Sequence, residues 1–176
     1  DVVGCLGRDA SAGIITAGLQ EHGVGCRRLV EVADHPTSKT VILLVQGQDR
    51  RYIHTFGANA AFTVKHIRRD WVAGLKVFYL GGLFLLPAFR TNELRALLKF
   101  CRAKGVVTVV DVVIPHHGRC RSDLASLLPF MDYFLPNDDE ARVLTGCDRP
   151  EDQVRALAAG GAATVIVTCG KGGAVA

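Results

Sequence analysis

The feature that most constrains this chain is a change of periodicity near residue 76. From there on, short apolar runs alternate with helical patterns. Residues 76–80, 106–111, 132–135 and 164–168 read as strands, and residues 91–104, 122–128, 138–145 and 151–159 as helices. Leu94, Leu97, Leu98 and Cys101 share one face of the first of these helices, Gly105 stops it, and Pro150 suits the first position of the last. Strands this continuously apolar, each followed by a helix, predict an α/β fold with a mostly parallel sheet covered on both faces.

The first 60 residues have another texture. Ile14, Ile15, Gly18 and Leu19 recur at helical spacing within residues 10–22, and Gly23 is placed to end that helix. Residues 40–46 and 51–56 are β-rich or alternating, with Gly47-Gln48-Asp49 between them, which predicts a β-hairpin. Gly57-Ala58-Asn59-Ala60 then reads as a turn. The hairpin does not share the strand–helix rhythm and is expected to form a small projecting sheet.

With 176 residues the chain fits one domain that buries roughly 70% of its unfolded surface. Its 49% hydrophobic and 22% charged residues exclude a disordered chain. The net charge of +4 comes from scattered pairs such as Arg27-Arg28 and Arg68-Arg69 rather than a stripe, so no nucleic-acid partner is expected. No signal peptide opens the sequence and no apolar stretch reaches membrane-span length, so no membrane is expected either. Six cysteines without a C-x-x-C pair exclude a zinc cradle and fit a reduced, cytoplasmic setting. Cys101 and Cys169 lie in apolar runs and read as core residues, whereas Cys120 and Cys147 lie in polar stretches and read as exposed. The chain opens on Asp1 rather than methionine and ends at Ala174-Val175-Ala176 within what reads as a strand, so a piece of a longer protein is expected.

In an open parallel sheet, ligands bind beyond the carboxyl ends of the strands. Gly81-Gly82, Asp111, Asn137 to Glu140, and Thr168 to Gly173 all fall there. Asn137 and Glu140 stand three apart where a helix opens. That spacing serves a phosphate and a water-bound Mg²⁺, and it equally serves a helix cap. Thr168-Cys169-Gly170-Lys171-Gly172-Gly173 has glycines that let a backbone approach phosphate, and it equally suits a tight turn between two strands. Neither a Walker A loop nor a G-x-G-x-x-G fingerprint occurs. His116-His117 follows Pro115 with no third ligand at metal spacing, which favours a surface loop. No G-x-S-x-G elbow supports a hydrolase.

The order of these pieces resembles the PfkB (ribokinase-like) carbohydrate kinases. Val3-Gly4-Cys5-Leu6-Gly7-Arg8-Asp9 with Gly13, and then Gly23-Val24, is similar to that family's "VGxDxxG…GV" stretch. RYIHTFGANAAF, starting at Arg51, resembles its returning lid strand and "GAN" loop. Asn137-Asp138-Asp139-Glu140, with Leu144-Thr145-Gly146, resembles "N-x-x-E…LTG", and Val165 to Gly173 resembles "VVVTxGxxG". The resemblance implies a three-layer ribokinase-like fold with a β-lid at about residues 37–60, and phosphorylation of a sugar-like small molecule with ATP and Mg²⁺. It implies that Asn137, Glu140, Thr168, Gly170 and Gly172 bind nucleotide, that Glu140 serves the metal, and that Asn59 and Gly82 approach the substrate. It also implies a homodimer formed through the lid.

The departures shape that expectation. The family's N-terminal "GG…N" segment and its "D-T-x-G-A-G-D" segment, which carries the catalytic aspartate, have no counterpart in these residues. Asp111-Val112-Val113-Ile114-Pro115 replaces the polar "D-x-N-x-R" type of strand end. The chain is therefore expected to be inactive alone, with its parent a kinase. A non-catalytic nucleotide- or sugar-binding module is the alternative, and a nicotinamide-dependent dehydrogenase domain a third reading that the missing glycine fingerprint opposes.

Overall fold

The computed structural model describes residues 1–46, 51–114 and 120–176, which form two compact units. The expected turn at Gly47-Gln48-Asp49 and the Pro115-His116-His117 stretch lie outside the described residues. The first unit comprises Asp1–Ile67 with Leu86–Ala88, and the second Arg68–Leu85 with Phe89–Ala176.

In the first unit, β1 (Val3–Leu6) leads through α1 (Ala10–Glu21) to β2 (Arg28–Glu31), which pairs parallel with β1 in the register Cys5↔Val30. Asp9 starts α1 by accepting a hydrogen bond from Ala12 N at 3.0 Å. Gly23, at φ +69°, follows its end as the spacing predicted. No residue of α1 is buried, and Ile14 is 73% exposed despite its helical spacing. The expected hairpin is present as β3 (Lys39–Leu43) and β4 (Arg51–Thr55), antiparallel with Val41 opposite Ile53 and Ile42 opposite Tyr52. Apolar side chains stand on both of its faces and all four of these are exposed. The turn at Gly57–Ala60 is a 3₁₀ helix whose Ala58 is fully buried.

The second unit opens with α2 (Arg69–Val72) and continues through β5 (Val77–Leu83), α3 (Thr91–Ala103), β6 (Val107–Val112), α4 (Cys120–Ala125), β7 (Tyr133–Leu135), α5 (Asp138–Thr145) and α6 (Pro150–Ala159). It ends in three two-residue strands, β8 (Thr164–Val165), β9 (Val167–Thr168) and β10 (Ala174–Val175). The strands β5-β6-β7-β8 form one sheet, parallel throughout. The expected strand at residues 164–168 is thus split: its first part completes this sheet, and its second pairs antiparallel with β10.

Alternation of side chains sets the core. Phe78, Leu80, Val110, Val112, Phe134 and Val165 point to one face and are buried, as are Leu94, Leu97, Leu98 and Cys101 of α3. On the other face Val77, Tyr79, Val107 and Tyr133 remain exposed, Tyr79 by 59%. The sheet expected to be covered on both faces is therefore buried on one. The exposed residues are apolar too, which hid the alternation in the sequence. A polar staple holds β6 against the start of β7: Thr108 N donates to Asp132 Oδ2 at 2.7 Å, and Asp132 N donates to Thr108 Oγ1 at 2.9 Å. Thr108 is fully buried, so the pair removes donors that would otherwise be costly. Three cysteine expectations change as well. Cys120 is buried in α4, Cys147 is half-buried rather than exposed, and Cys169 is only half-buried because it begins a turn.

Candidate functional site

The second unit gathers several of the expected residues at the carboxyl ends of its strands. Asn137, extended at φ −81° and ψ 170°, caps α5. Its Oδ1 accepts from Glu140 N at 2.8 Å, and Glu140 Oε2 accepts from Asn137 N at 2.9 Å. This reciprocal capping box realises the structural alternative read from the spacing. It leaves the other Glu140 oxygen and the Asn137 amide nitrogen as the atoms available to a ligand. Burial pushes the half-buried Glu140 carboxyl above its ordinary range, and the negative charges of Asp111 and Asp139 push the same way, against the lowering effect of the Asn137 N–H.

Asp111 comes from β6, beside Leu135 of β7. Tyr79, two residues before Gly81 on β5, donates its hydroxyl to Asp111 Oδ2 at 3.3 Å. Burial, followed by the Asp111 charge, raises the Tyr79 phenol above its ordinary value. A Cβ on Gly81 would stand 3.1 Å from the Tyr79 ring, so glycine allows the ring to lie along the strand. Gly82, at φ +71°, sits where the β5–β6 register shifts between Leu80 and Leu83. Sequence reading did not single out Tyr79; only the pairing of β5 with β6 brings it to Asp111.

Thr168 is brought to Asn137 by a parallel bridge, with Thr168 N donating to Pro136 O at 3.0 Å. The following glycine segment is the tight turn joining β9 to β10, the plainer of its two sequence readings. Gly170 and Gly173 both have positive φ, and a Cβ on either would meet nothing within 4 Å. The turn is open on that side. Gly172 donates its own amide to Cys169 O at 2.9 Å, so it offers shape rather than a donor.

Asn59, in contrast, belongs to the first unit, where its N–H donates to Phe56 O at 2.9 Å within the 3₁₀ turn. A groove of about 850 Å³ in that unit is lined by residues including Leu6, Asp9, Gly13, Thr16 and Leu29. None of the sequence-predicted site residues lines it.

The donor set suits magnesium in one specific way. Among the described residues no group of three or more His, Cys, Asp or Glu side chains forms a cage for a metal. Mg²⁺ commonly keeps several waters and shares phosphate oxygens with one or two carboxylates. Glu140 and Asp111 supply such carboxylates, and their mutual repulsion is what a cation would relieve. The open Gly170 turn beside Asn137 fits a phosphate chain.

Comparison with known proteins identifies the family and the fold. The family model described as pfkB family carbohydrate kinase matches residues 1–176. The chain belongs to the PfkB family of carbohydrate kinases. A PfkB protein from Polaromonas sp. JS666 is similar in structure, with a TM-score of 0.76 and 24% identity, covering 98% of this chain and 61% of that one. A fructokinase from Xylella fastidiosa with bound ATP superimposes with a TM-score of 0.78 at 19% identity, covering 98% and 57%. Arabidopsis thaliana ribokinase complexed with ribose and ATP gives 0.72 at 24% identity, covering 98% and 55%. The fold is ribokinase-like α/β with a mostly parallel sheet. The chain spans little more than half the length of these solved structures.

Proposed function

We propose that this chain contributes the nucleotide and metal site of an ATP-dependent kinase that phosphorylates a hydroxyl of a sugar or sugar-like small molecule. The observation that carries the reading is the meeting of Asn137, Glu140 and Thr168 at one strand end, in a chain of the PfkB family. Glu140, with Asp111 adding negative charge, would hold a magnesium ion, which would supply positive charge against the phosphates. Asn137 offers its side-chain amide to a phosphate oxygen. Thr168, Gly170 and Gly172 shape the nucleotide pocket, and Asn59 and Gly82 approach the acceptor. Phosphoryl transfer depends on such positioning and charge stabilisation. No D-T-x-G-A-G-D stretch occurs in these residues, so the reading assigns the catalytic base to other residues of the full-length protein and no turnover to this chain alone. A homodimer joined through the exposed β3–β4 hairpin and a cytoplasmic setting complete it.

The test is ADP release by the full-length protein with Mg²⁺, ATP and a panel of hexoses, pentoses and nucleosides. Turnover with at least one acceptor, lost in Asn137→Ala, supports the reading. ATP binding with no turnover on any acceptor would instead favour a non-catalytic binding module.

A further inference from the structure

The base of the β3–β4 hairpin is built around a single peptide. Pro36 and Thr37 run between Gly7 and Gly57. A Cβ on Gly7 would stand 2.4 Å from His35 O and 2.5 Å from Thr37 N, and a Cβ on Gly57 would stand 2.3 Å from Pro36 O. Only glycine admits backbone this close on both sides. Ala58 N donates to Pro36 O at 2.7 Å, which joins the end of β4 to the start of β3. Thr37 is 1% exposed, and its Oγ1 accepts from Gly7 N at 3.0 Å. The carboxylate of Asp9 completes the arrangement: Oδ2 accepts from Thr37 N at 2.9 Å, and Oδ1 accepts from Thr37 Oγ1 at 2.7 Å and from Ala12 N at 3.0 Å. Lys39 Nζ lies 3.9 Å away.

We infer that Asp9 is a positioning residue for the hairpin. Through Thr37 it fixes both hairpin ends to the start of α1, so that the hairpin root and the Asn59 turn move as one body and any hinge lies further out along the strands. Three hydrogen bonds to one carboxylate are more than an N-cap requires, since a cap needs only the bond from Ala12. The two bonds to Thr37 are the ones that act on the hairpin. Their geometry also defines a variant that separates the roles. Asn at this position keeps an oxygen for Ala12 but turns an NH₂ group toward Thr37 N, placing donor against donor.

The consequence for catalysis rests on the proposed kinase reading; the structural part does not. The test is amide hydrogen exchange on the full-length protein as wild type, Asp9→Asn, Asp9→Ala and Thr37→Ser. In Asp9→Asn, the amides of Thr37, Ala58 and residues 39–43 should exchange at least tenfold faster, while α1 and the β6 strand of the second unit keep their protection. Asp9→Ala should add faster exchange in α1. Thr37→Ser retains the hydroxyl and should stay near wild type. Root and hairpin exchange in Asp9→Asn within twofold of wild type would overturn the inference. So would uniform loss of protection across α1, β1 and β2, which would make Asp9 a general stability residue. If the protein also phosphorylates an acceptor, Asp9→Asn should raise the acceptor KM several-fold and leave that for ATP unchanged. Altered exchange without that split retires the catalytic consequence and leaves the latch standing.

Discussion

Asn137 and Glu140 hold each other by reciprocal hydrogen bonds of 2.8 and 2.9 Å, so the residues proposed to bind phosphate and metal also start α5. Substitutions there mix two effects unless the cap is kept. Asn137→Ala should lose about 1 kcal/mol of stability as well as MgATP affinity. Asn137→Asp caps equally well and should unfold near wild type, yet bind MgATP at least tenfold more weakly, because it faces phosphate with a negative charge. Denaturant unfolding and titration calorimetry separate the two. Wild-type affinity in Asn137→Asp would reduce Asn137 to a cap.

Glu140 carries a cost of its own. Its folded carboxyl titrates above the ordinary value of 4.5, so its contribution to stability is full below that value and is lost as pH rises through the folded one. At neutral pH the ionised group is therefore a burden. Glu140→Gln retains a side chain able to close the capping box and should raise stability by a few tenths of a kcal/mol, the scale of a relieved like-charge pair. It should abolish the Mg²⁺ dependence of ATP binding. Lower stability in Glu140→Gln would contradict the electrostatic account.

Asp111 is a source of that repulsion, although burial is the larger cause. In Asp111→Asn the Glu140 carboxyl should titrate lower, and so should the Tyr79 phenol, which burial and Asp111 together raise. NMR titration of the Glu140 carboxyl carbon and absorbance titration of the tyrosines read the two shifts. Unmoved midpoints would place Asp111 outside the site.

Hydrogen bonds from Thr37 and Ala12 hold Asp9 well below the ordinary 3.8, at about 2. The stability this confers is fully present above 3.8 and is lost as pH falls through about 2. Urea midpoints of wild type should therefore fall more steeply between those values than midpoints of Asp9→Asn. Parallel pH profiles would show that the carboxylate contributes nothing to folding.

Two glycines with similar backbone angles should respond differently to the same change. Gly57, at φ +47°, has Pro36 O where a Cβ would stand, and Gly57→Ala should cost about 2–4 kcal/mol in strain and steric displacement. Gly170, at φ +53°, has open space, and Gly170→Ala should cost only about 1–2 kcal/mol in backbone strain. Equal losses in thermal melts would mean that the Pro36 contact is relieved by a small shift.

The period of the apolar residues was enough to specify most elements, because that pattern is local. It located α3 and α5 closely, the paired strands β3 and β4, and the parallel strands with helices between them. It could not tell one buried face from two, since Val77, Tyr79, Val107 and Tyr133 are large hydrophobic residues although exposed. Nor could it split residues 164–168, whose two ends pair with different partners. At the candidate site the spacing of Asn137 and Glu140 was visible along the chain, as was the Thr168 turn. Their meeting was not, because it depends on a bridge between residues 31 positions apart. Tyr79 on Asp111 and Thr37 on Asp9 carry no linear signature at all. The sequence by itself determined which segments are helix and strand and where their caps fall, through short-range periodicity and side-chain chemistry. Tertiary structure alone decided which strand ends share a site and which loop is locked to which helix, because those contacts join residues that only the packed sheet and the glycine-lined hairpin root bring within hydrogen-bond reach.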